Sequence, residues 1–318
     1  MAALTAIGAV SVVARSVANG RQAAAADARV GIFWGSLDPE QLRELRRGLA
    51  ELVWIEGQNI TFVERVADGT EPTVLETAAD LARSSDVVVS GSTPLVQAIR
   101  LASPTTPVVL LRLADPVSDG FATTLARPGG MVTGVYAATN AVYPKRVQLL
   151  HALVPSMMRP AVLWSSSRGA PLDPLIGEAA DKLGLPMTVL DTPLALDVGR
   201  ALQSGLERGV DGLIIHNEVV VQSRRLEIAE FASDHRLPAI SIDRRFVELG
   251  GFASYGANFK QLAYRAATYV DRVLRGAGPG DLPIEEPTTF DFVVNAPQVQ
   301  SSGLAIPSAV AQQITEWA

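Results

Sequence analysis

Few residues in this sequence have the chemistry for catalysis, and none stands in a catalytic arrangement. Cysteine is absent, which removes thiol catalysis, zinc ribbons, iron–sulfur clusters and disulfide frameworks together. The three histidines, His151, His216 and His235, share no metal-binding spacing such as H-E-x-x-H. Gly129 and Gly134 have the glycine spacing of a phosphate loop, but Val135 stands where its lysine is needed. A G-x-S-x-G elbow is missing, and Gly276-Ala277-Gly278-Pro279-Gly280 is a turn-rich linker whose proline removes a phosphate donor. Glu285 and Glu286 are adjacent in a proline-rich stretch and read as solvated surface. A non-enzyme that needs no cofactor and no metal is expected.

What remains is a set of small polar residues at the ends of apolar runs. These are Trp34-Gly35-Ser36, Ser90-Gly91-Ser92-Thr93, Asp115, Ser165-Ser166-Ser167 and His216-Asn217-Glu218. Ligands of open α/β sheets bind outside the carboxyl ends of the strands. Ser, Thr, Asp and Asn are also ordinary helix caps, so each residue taken singly has a structural explanation. Taken together they favour a polar cleft between two lobes, with Trp34, Tyr136 and Tyr255 as aromatic walls. The candidate ligand-binding residues are Trp34, Ser36, Ser92, Thr93, Asp115, Tyr136, Ser166, Asn217 and Tyr255. Ser92 and Thr93 suit a carboxylate at a helix N-terminus, and Asp115 suits an ammonium group unless it only caps its own helix.

The elements that must position these residues alternate along the chain. Val30–Trp34, Ile60–Val66, Asp86–Ser90, Pro107–Leu111 and Val132–Tyr136 read as buried strands. Asp38-Pro39 offers a cap and a first helical proline, and Leu42, Leu45, Leu49 and Leu52 make one apolar stripe. Helices are predicted over 71–83, from Thr93 to Leu101, and again from Asp115-Pro116. A second half repeats the rhythm with strands Ala161–Trp164, Met187–Leu190, Gly212–His216 and Ala239–Ile242. Helices near 174–184, 197–208 and 220–235 separate them. Asn258 caps a long helix that Gly276 ends, and Phe290–Val294 is a last strand. This is an α/β chain of two doubly wound parallel-sheet lobes.

At about 150 residues per domain, 318 residues also give two units. Hydrophobic residues make up 48% and charged residues 19%, as in a globular protein. Lys and Arg number 27 against 33 Asp and Glu, a net charge of −6 without any basic run. Nucleic acid is therefore not an expected partner. Residues 1–26 carry no acidic group, and an apolar stretch from Ala2 to Ala14 is followed by Ala24-Ala25-Ala26 before Asp27. That pattern predicts a secretory signal peptide, although Arg15 and Arg21 follow the apolar stretch and no basic residue precedes it.

Beyond this leader the sequence resembles the ABC-transporter substrate-binding proteins of the tryptophan-binding-protein-like group. The matching stretches include Leu52-Val-Trp-Ile-Glu-Gly-Gln-Asn59, Gly91-Ser-Thr-Pro94, Ala114-Asp-Pro-Val117 and Leu125-Ala-Arg-Pro-Gly-Gly-Met-Val-Thr-Gly134. Arg236-Leu-Pro-Ala-Ile240, Gly250-Gly-Phe-Ala-Ser-Tyr-Gly256, Tyr269-Val-Asp-Arg-Val-Leu-Arg-Gly276 and Pro283-Ile-Glu-Glu-Pro-Thr-Thr-Phe290 continue it in order. The family commonly has Asn where Met131 stands, and often Trp-Asn-Pro where this chain has Trp164-Ser165-Ser166.

The resemblance implies a periplasmic-binding-protein type I fold with several chain crossings between lobes. Lobe 1 is expected to comprise 27–137 with 257–284, and lobe 2 to comprise 138–256 with 285–318. It also implies a monomeric periplasmic receptor that captures a small solute, an amino acid or a small carboxylate or aromatic acid, for an ABC permease in the inner membrane. The rival reading is a cytoplasmic small-molecule sensor of the same fold, but that needs an N-terminal helix-turn-helix which the short apolar leader does not resemble. An α/β enzyme is the third reading, without a nucleophile, metal set or phosphate loop to carry it.

Overall fold

The computed structural model describes residues 27–34, 39–67, 71–113, 115–138, 142–166, 174–217 and 219–318. The leader 1–26, Ser36 and Asp38 lie outside the described residues. In the first half the apolar runs become strands β1 (Ala28–Trp34), β2 (Ile60–Val66), β3 (Val87–Ser90), β4 (Val108–Leu113) and β5 (Val132–Tyr136). They hydrogen-bond in the order β2-β1-β3-β4-β5, all parallel. β3 and β5 are buried at every residue, as strands covered on both faces must be. Helices α1 (Pro39–Glu51), α2 (Glu71–Arg83) and α3 (Thr93–Ala102) connect them, and α1 buries Leu42, Leu45 and Leu49 as its apolar stripe requires.

The second half holds α4 (Tyr143–Leu153), β6 (Pro160–Trp164), α5 (Pro174–Asp181), β7 (Thr188–Asp191), α6 (Val198–Glu207) and β8 (Gly212–Ile215). It continues through α7 (Val219–Ser223), α8 (Arg225–Asp234), β9 (Ala239–Ser241), α9 (Arg245–Glu248) and β10 (Ala253–Ala257). The order β7-β6-β8-β9-β10 repeats that of the first sheet. β11 (Phe290–Val294) then joins β10 antiparallel, and β12 (Glu316–Trp317) lies parallel to β11 at the edge. Two α/β lobes of largely parallel sheet result.

Three local expectations change. No helix follows Asp115: residues 116–120 turn instead, and Gly120 sits at φ +75. The helix expected over 220–235 is broken at Arg224 into α7 and α8. β10 was not anticipated, because Ala253-Ser-Tyr-Gly-Ala257 has no apolar run. Its glycine has a steric reason: a Cβ on Gly256 would lie 2.2 Å from the carbonyl oxygen of Ile242.

After β10 the chain returns to the first lobe as α10 (Phe259–Leu274), capped where Asn258 Oδ1 accepts the Gln261 N–H at 2.9 Å. Leu262, Ala263, Ala266, Ala267, Tyr269 and Val270 of α10 share one core with Leu45 and Leu49 of α1 and with Val89, Val109 and Val135 of the sheet. Trp54 Nε1 donates to the buried Asp271 carboxylate at 2.8 Å. Ile284–Glu286 then run beside β5, with Tyr136 N to Glu285 O at 3.1 Å and Glu285 N to Gly134 O at 2.9 Å. The chain therefore passes between lobes after β5, after β10 and after Glu286.

The α1–α10 contact needs a glycine, since a Cβ on Gly48 would meet Ala267 Cβ at 2.7 Å and the Tyr264 carbonyl at 2.9 Å. Gly48→Ala is expected to cost about 1–3 kcal/mol through overpacking, read as a lower urea midpoint at unchanged m-value. Gly177→Ala, whose Cβ would meet nothing within 4 Å, should instead gain a few tenths to about 1 kcal/mol of helix stability.

Candidate functional site

Parallel pairing sets the carboxyl ends of the strands along one edge of each sheet. On the first sheet that edge carries Trp34, Ser92 and Asp115; on the second it carries Trp164, Asn217 and Asp243. Ile242, just past β9, is packed with Trp34, Leu42, Ala257 and Phe259 in the core of the first lobe. The carboxyl edge of the second sheet thus faces the first lobe.

Between them opens a cavity of about 380 Å³, within the range of small-molecule sites. Pro39, Glu40 and Gln41 of α1 and Asn258, Phe259 and Lys260 of α10 line it from the first lobe. Ile242, Asp243, Arg244, Arg245 and Asp291 line it from the second. Asp243 is 2% exposed, and its carboxylate accepts from the Arg245 N–H at 3.0 Å and from the Arg245 guanidinium at 3.0 and 2.6 Å. Glu40 pairs with Lys260, whose ammonium holds the carboxylate below its ordinary pKa. Apolar floor and paired charges together suit a small solute with both charged and apolar parts.

None of the eight described candidate residues lines this cavity; they gather in two neighbouring clusters. In the first lobe Trp34 lies over Gly91, where a Cβ would meet its ring at 3.3 Å and the Leu111 carbonyl at 2.0 Å. Thr93 donates its hydroxyl to Asp119 at 2.8 Å, while Ser92 is the α3 cap residue but makes no side-chain cap bond. Asp115 caps its own turn, accepting from Val117 N at 3.0 Å, Ser118 N at 3.1 Å and Ser118 Oγ at 2.7 Å. Burial alone would raise its pKa, but those three donors outweigh it and hold the carboxyl below its ordinary value. Tyr136 donates to Glu286; burial first, then that carboxylate and the Asp115 charge, push its pKa up.

In the second lobe Ser166 donates its N–H and hydroxyl to Asp191 at 2.9 and 2.8 Å. Asn217 N donates to the Tyr143 hydroxyl at 3.0 Å, and Tyr143 stacks on His216 with centroids 4.5 Å apart. Trp164 meets His216 edge-on at 4.8 Å. The Arg146 guanidinium lies 4.4 Å over the Tyr143 ring and donates through Nε to the Tyr255 carbonyl at 2.9 Å. Tyr255 itself stacks on Phe290 at 5.8 Å. Burial, helped by the Arg146 charge, pulls the His216 pKa down to about 3.

Asp243, Arg245, Glu40 and Arg146 were missed at the sequence level. Ile242-Asp243 directly follows strand β9 and obeys the strand-end rule that selected the others. Among the described residues no three His, Asp or Glu side chains form a metal-binding group.

The family of ABC transporter substrate binding proteins matches residues 38–317. A tyrosine-binding protein of Clostridioides difficile (strain R20291) is 24% identical over 253 residues, 78% of this chain and 72% of that protein. A conserved domain protein from Vibrio cholerae O1 biovar El Tor is similar in structure, with TM-score 0.83, 26% identity and coverage of 92% of this chain and 99% of that one. An ABC domain in complex with L-Trp from Streptococcus pneumoniae superposes with TM-score 0.83 at 23% identity, covering 92% of this chain and 100% of that one.

Two outcomes follow from these geometries. A neutral buried His216 refuses a proton that the unfolded chain accepts below its ordinary pKa of 6.5. Stability should therefore fall with pH below that value, by about 1.4 kcal/mol per unit at most, and His216→Phe should flatten that limb of the urea-midpoint profile. Asp115→Ala removes a cap and should cost about 0.5–2 kcal/mol in the same measurement.

Proposed function

Because the chain belongs to the ABC transporter substrate binding protein family, we propose that it is the extracytoplasmic receptor of an ABC importer. Its solute in this reading is an amino acid, with an aromatic side chain as first choice. The observation that carries the reading is the cavity of about 380 Å³ walled by α1 and α10 on one side and by the β9–α9 turn on the other. The names of similar proteins, one tyrosine-binding and one solved with L-Trp, support the solute class. The apolar leader supports export, with the mature chain starting near Asp27. The partner is a membrane permease, and the receptor acts as a monomer.

The lobes in this reading are 27–137 with 257–286 and 138–256 with 287–318. The bonds of Glu285 to β5 and of Glu286 to Tyr136 support drawing the last boundary after Glu286 rather than after Pro283-Ile284. Beside this cavity, Trp34, Ser92, Thr93, Asp115 and Tyr136 form one wall of the cleft in this reading, and Ser166, Asn217 and Tyr255 form the other. Ligand contacts to both lobes favour the closed state.

A thermal-shift screen of the protein from Asp27 onward against the common L-amino acids tests the proposal. A true ligand at 100 times its Kd should add about 2.7 kcal/mol, a rise of roughly 4–5 °C in Tm for a chain of this size. If no amino acid raises Tm at millimolar concentration, the solute assignment is wrong.

A further inference from the structure

Arg146 stands out among the arginines. Its side chain is wholly buried, at 0% exposure, yet neither Nη1 nor Nη2 finds a hydrogen-bond acceptor. By contrast, the largely buried Arg245 is matched to Asp243, and even the half-exposed Arg265 and Arg275 are matched to Glu285 and Asp271. An unpaired buried guanidinium is costly unless an anion arrives to complete it.

Its place says where that anion comes from. The guanidinium rests on Tyr143, whose hydroxyl accepts from the Asn217 N–H, and holds the Tyr255 carbonyl. His216, stacked on Tyr143, immediately precedes Asn217; Trp164, edge-on to His216, precedes Ser165 and Ser166. The free donors thus lie directly beneath two of the strand-end loops where solutes of open sheets bind. Its planar fork of N–H groups matches a carboxylate bidentately.

We propose that Arg146 is the seat of the ligand's carboxylate, reached from the cleft past the Asn217 loop, and that it makes a free carboxylic acid a condition of capture. The proposal rests on the amino-acid reading above. It replaces the α3 N-terminus at Ser92 as the carboxylate site, where no second feature points to an anion. Tyr143, His216 and Trp164 then form an apolar, uncharged collar that strengthens the ion pair by excluding water.

Calorimetric titration tests it with L-tryptophan and L-tyrosine beside their decarboxylated counterparts, tryptamine and tyramine. The wild type should bind an amino acid at least about 100-fold more tightly than the matching amine. Arg146→Gln should lose about that factor for the acid and little for the amine, so the ratio collapses toward one. Arg146→Lys, which keeps the charge without the fork, should fall between. Ligand-free Arg146→Gln should melt no lower than wild type, because an unpaired buried charge has been removed; a structural role would instead lower Tm and leave the ratio intact. If Arg146→Gln fails to fold, the wild-type ratio and Arg146→Lys decide: equal binding of acid and amine by the wild type, or an unchanged ratio in Arg146→Lys, overturns the assignment. A collapse of the ratio in Ser92→Ala with none in Arg146→Gln returns the carboxylate to α3. If the wild type binds none of the four compounds, the amino-acid reading falls and this one falls with it.

Discussion

The first sheet is complete by Tyr136 but is not covered until α10 arrives from beyond residue 258. An amphipathic helix and a two-faced sheet must both bury apolar surface, and α1 leaves part of the sheet open. The packing of α10 on α1, β3, β4 and β5, locked by the Trp54–Asp271 hydrogen bond and admitted by Gly48, closes that gap. Everything else about the architecture follows from it. A chain that builds most of lobe 2, returns to lobe 1 for α10 and then adds β11 and β12 to the second sheet crosses between the lobes repeatedly, and those crossings hold the two carboxyl edges in register across the cleft.

The electrostatics of the cleft show the same economy. Most charges near it are matched in place: Asp243 by Arg245, Glu40 by Lys260, Glu285 by Arg265, Asp191 by Ser166. Asp115 is satisfied by its own turn. Against that background the neutral His216 and the incomplete coordination of Arg146 are the exceptions, and they are neighbours. Local pairing lets polar residues stand at the cleft without leaving an uncompensated charge there.

Much of the fold was legible because continuous apolar runs leave little choice but buried parallel strands. β2 and β5 fall where the runs begin and end, and Asn258 caps α10 as its side chain predicts. The strand-end rule selected the carboxyl edge of each sheet, where Asp243 does line the cavity, but none of the residues it named does. β10 was invisible because its small residues answer to the close approach of the Ile242 backbone, a tertiary constraint. The turn after Asp115 was read as a helix because an Asp-Pro pair caps either structure. Arg146 did leave a trace: with Leu149, Leu150 and Leu153 it occupies the i, i+3, i+4, i+7 face of α4, so helical periodicity placed a cation among buried leucines. Its burial is a pattern-level signal that a composition-based view of charge discards.

The dependence of the first lobe on α10 has a consequence for the order of events during synthesis. At about 5–20 residues per second, the stretch from the end of α1 to the start of α10 takes roughly 10–40 s to emerge from the ribosome. Throughout that time the N-terminal sheet has an uncovered apolar face and lacks its Trp54 partner. The lobe translated first therefore stays open while most of the second is made, and only β11 and β12 of the second sheet remain to be added once α10 has closed it. Closure of the first lobe is thus a non-local, slow step that waits on a helix more than 200 residues downstream of α1.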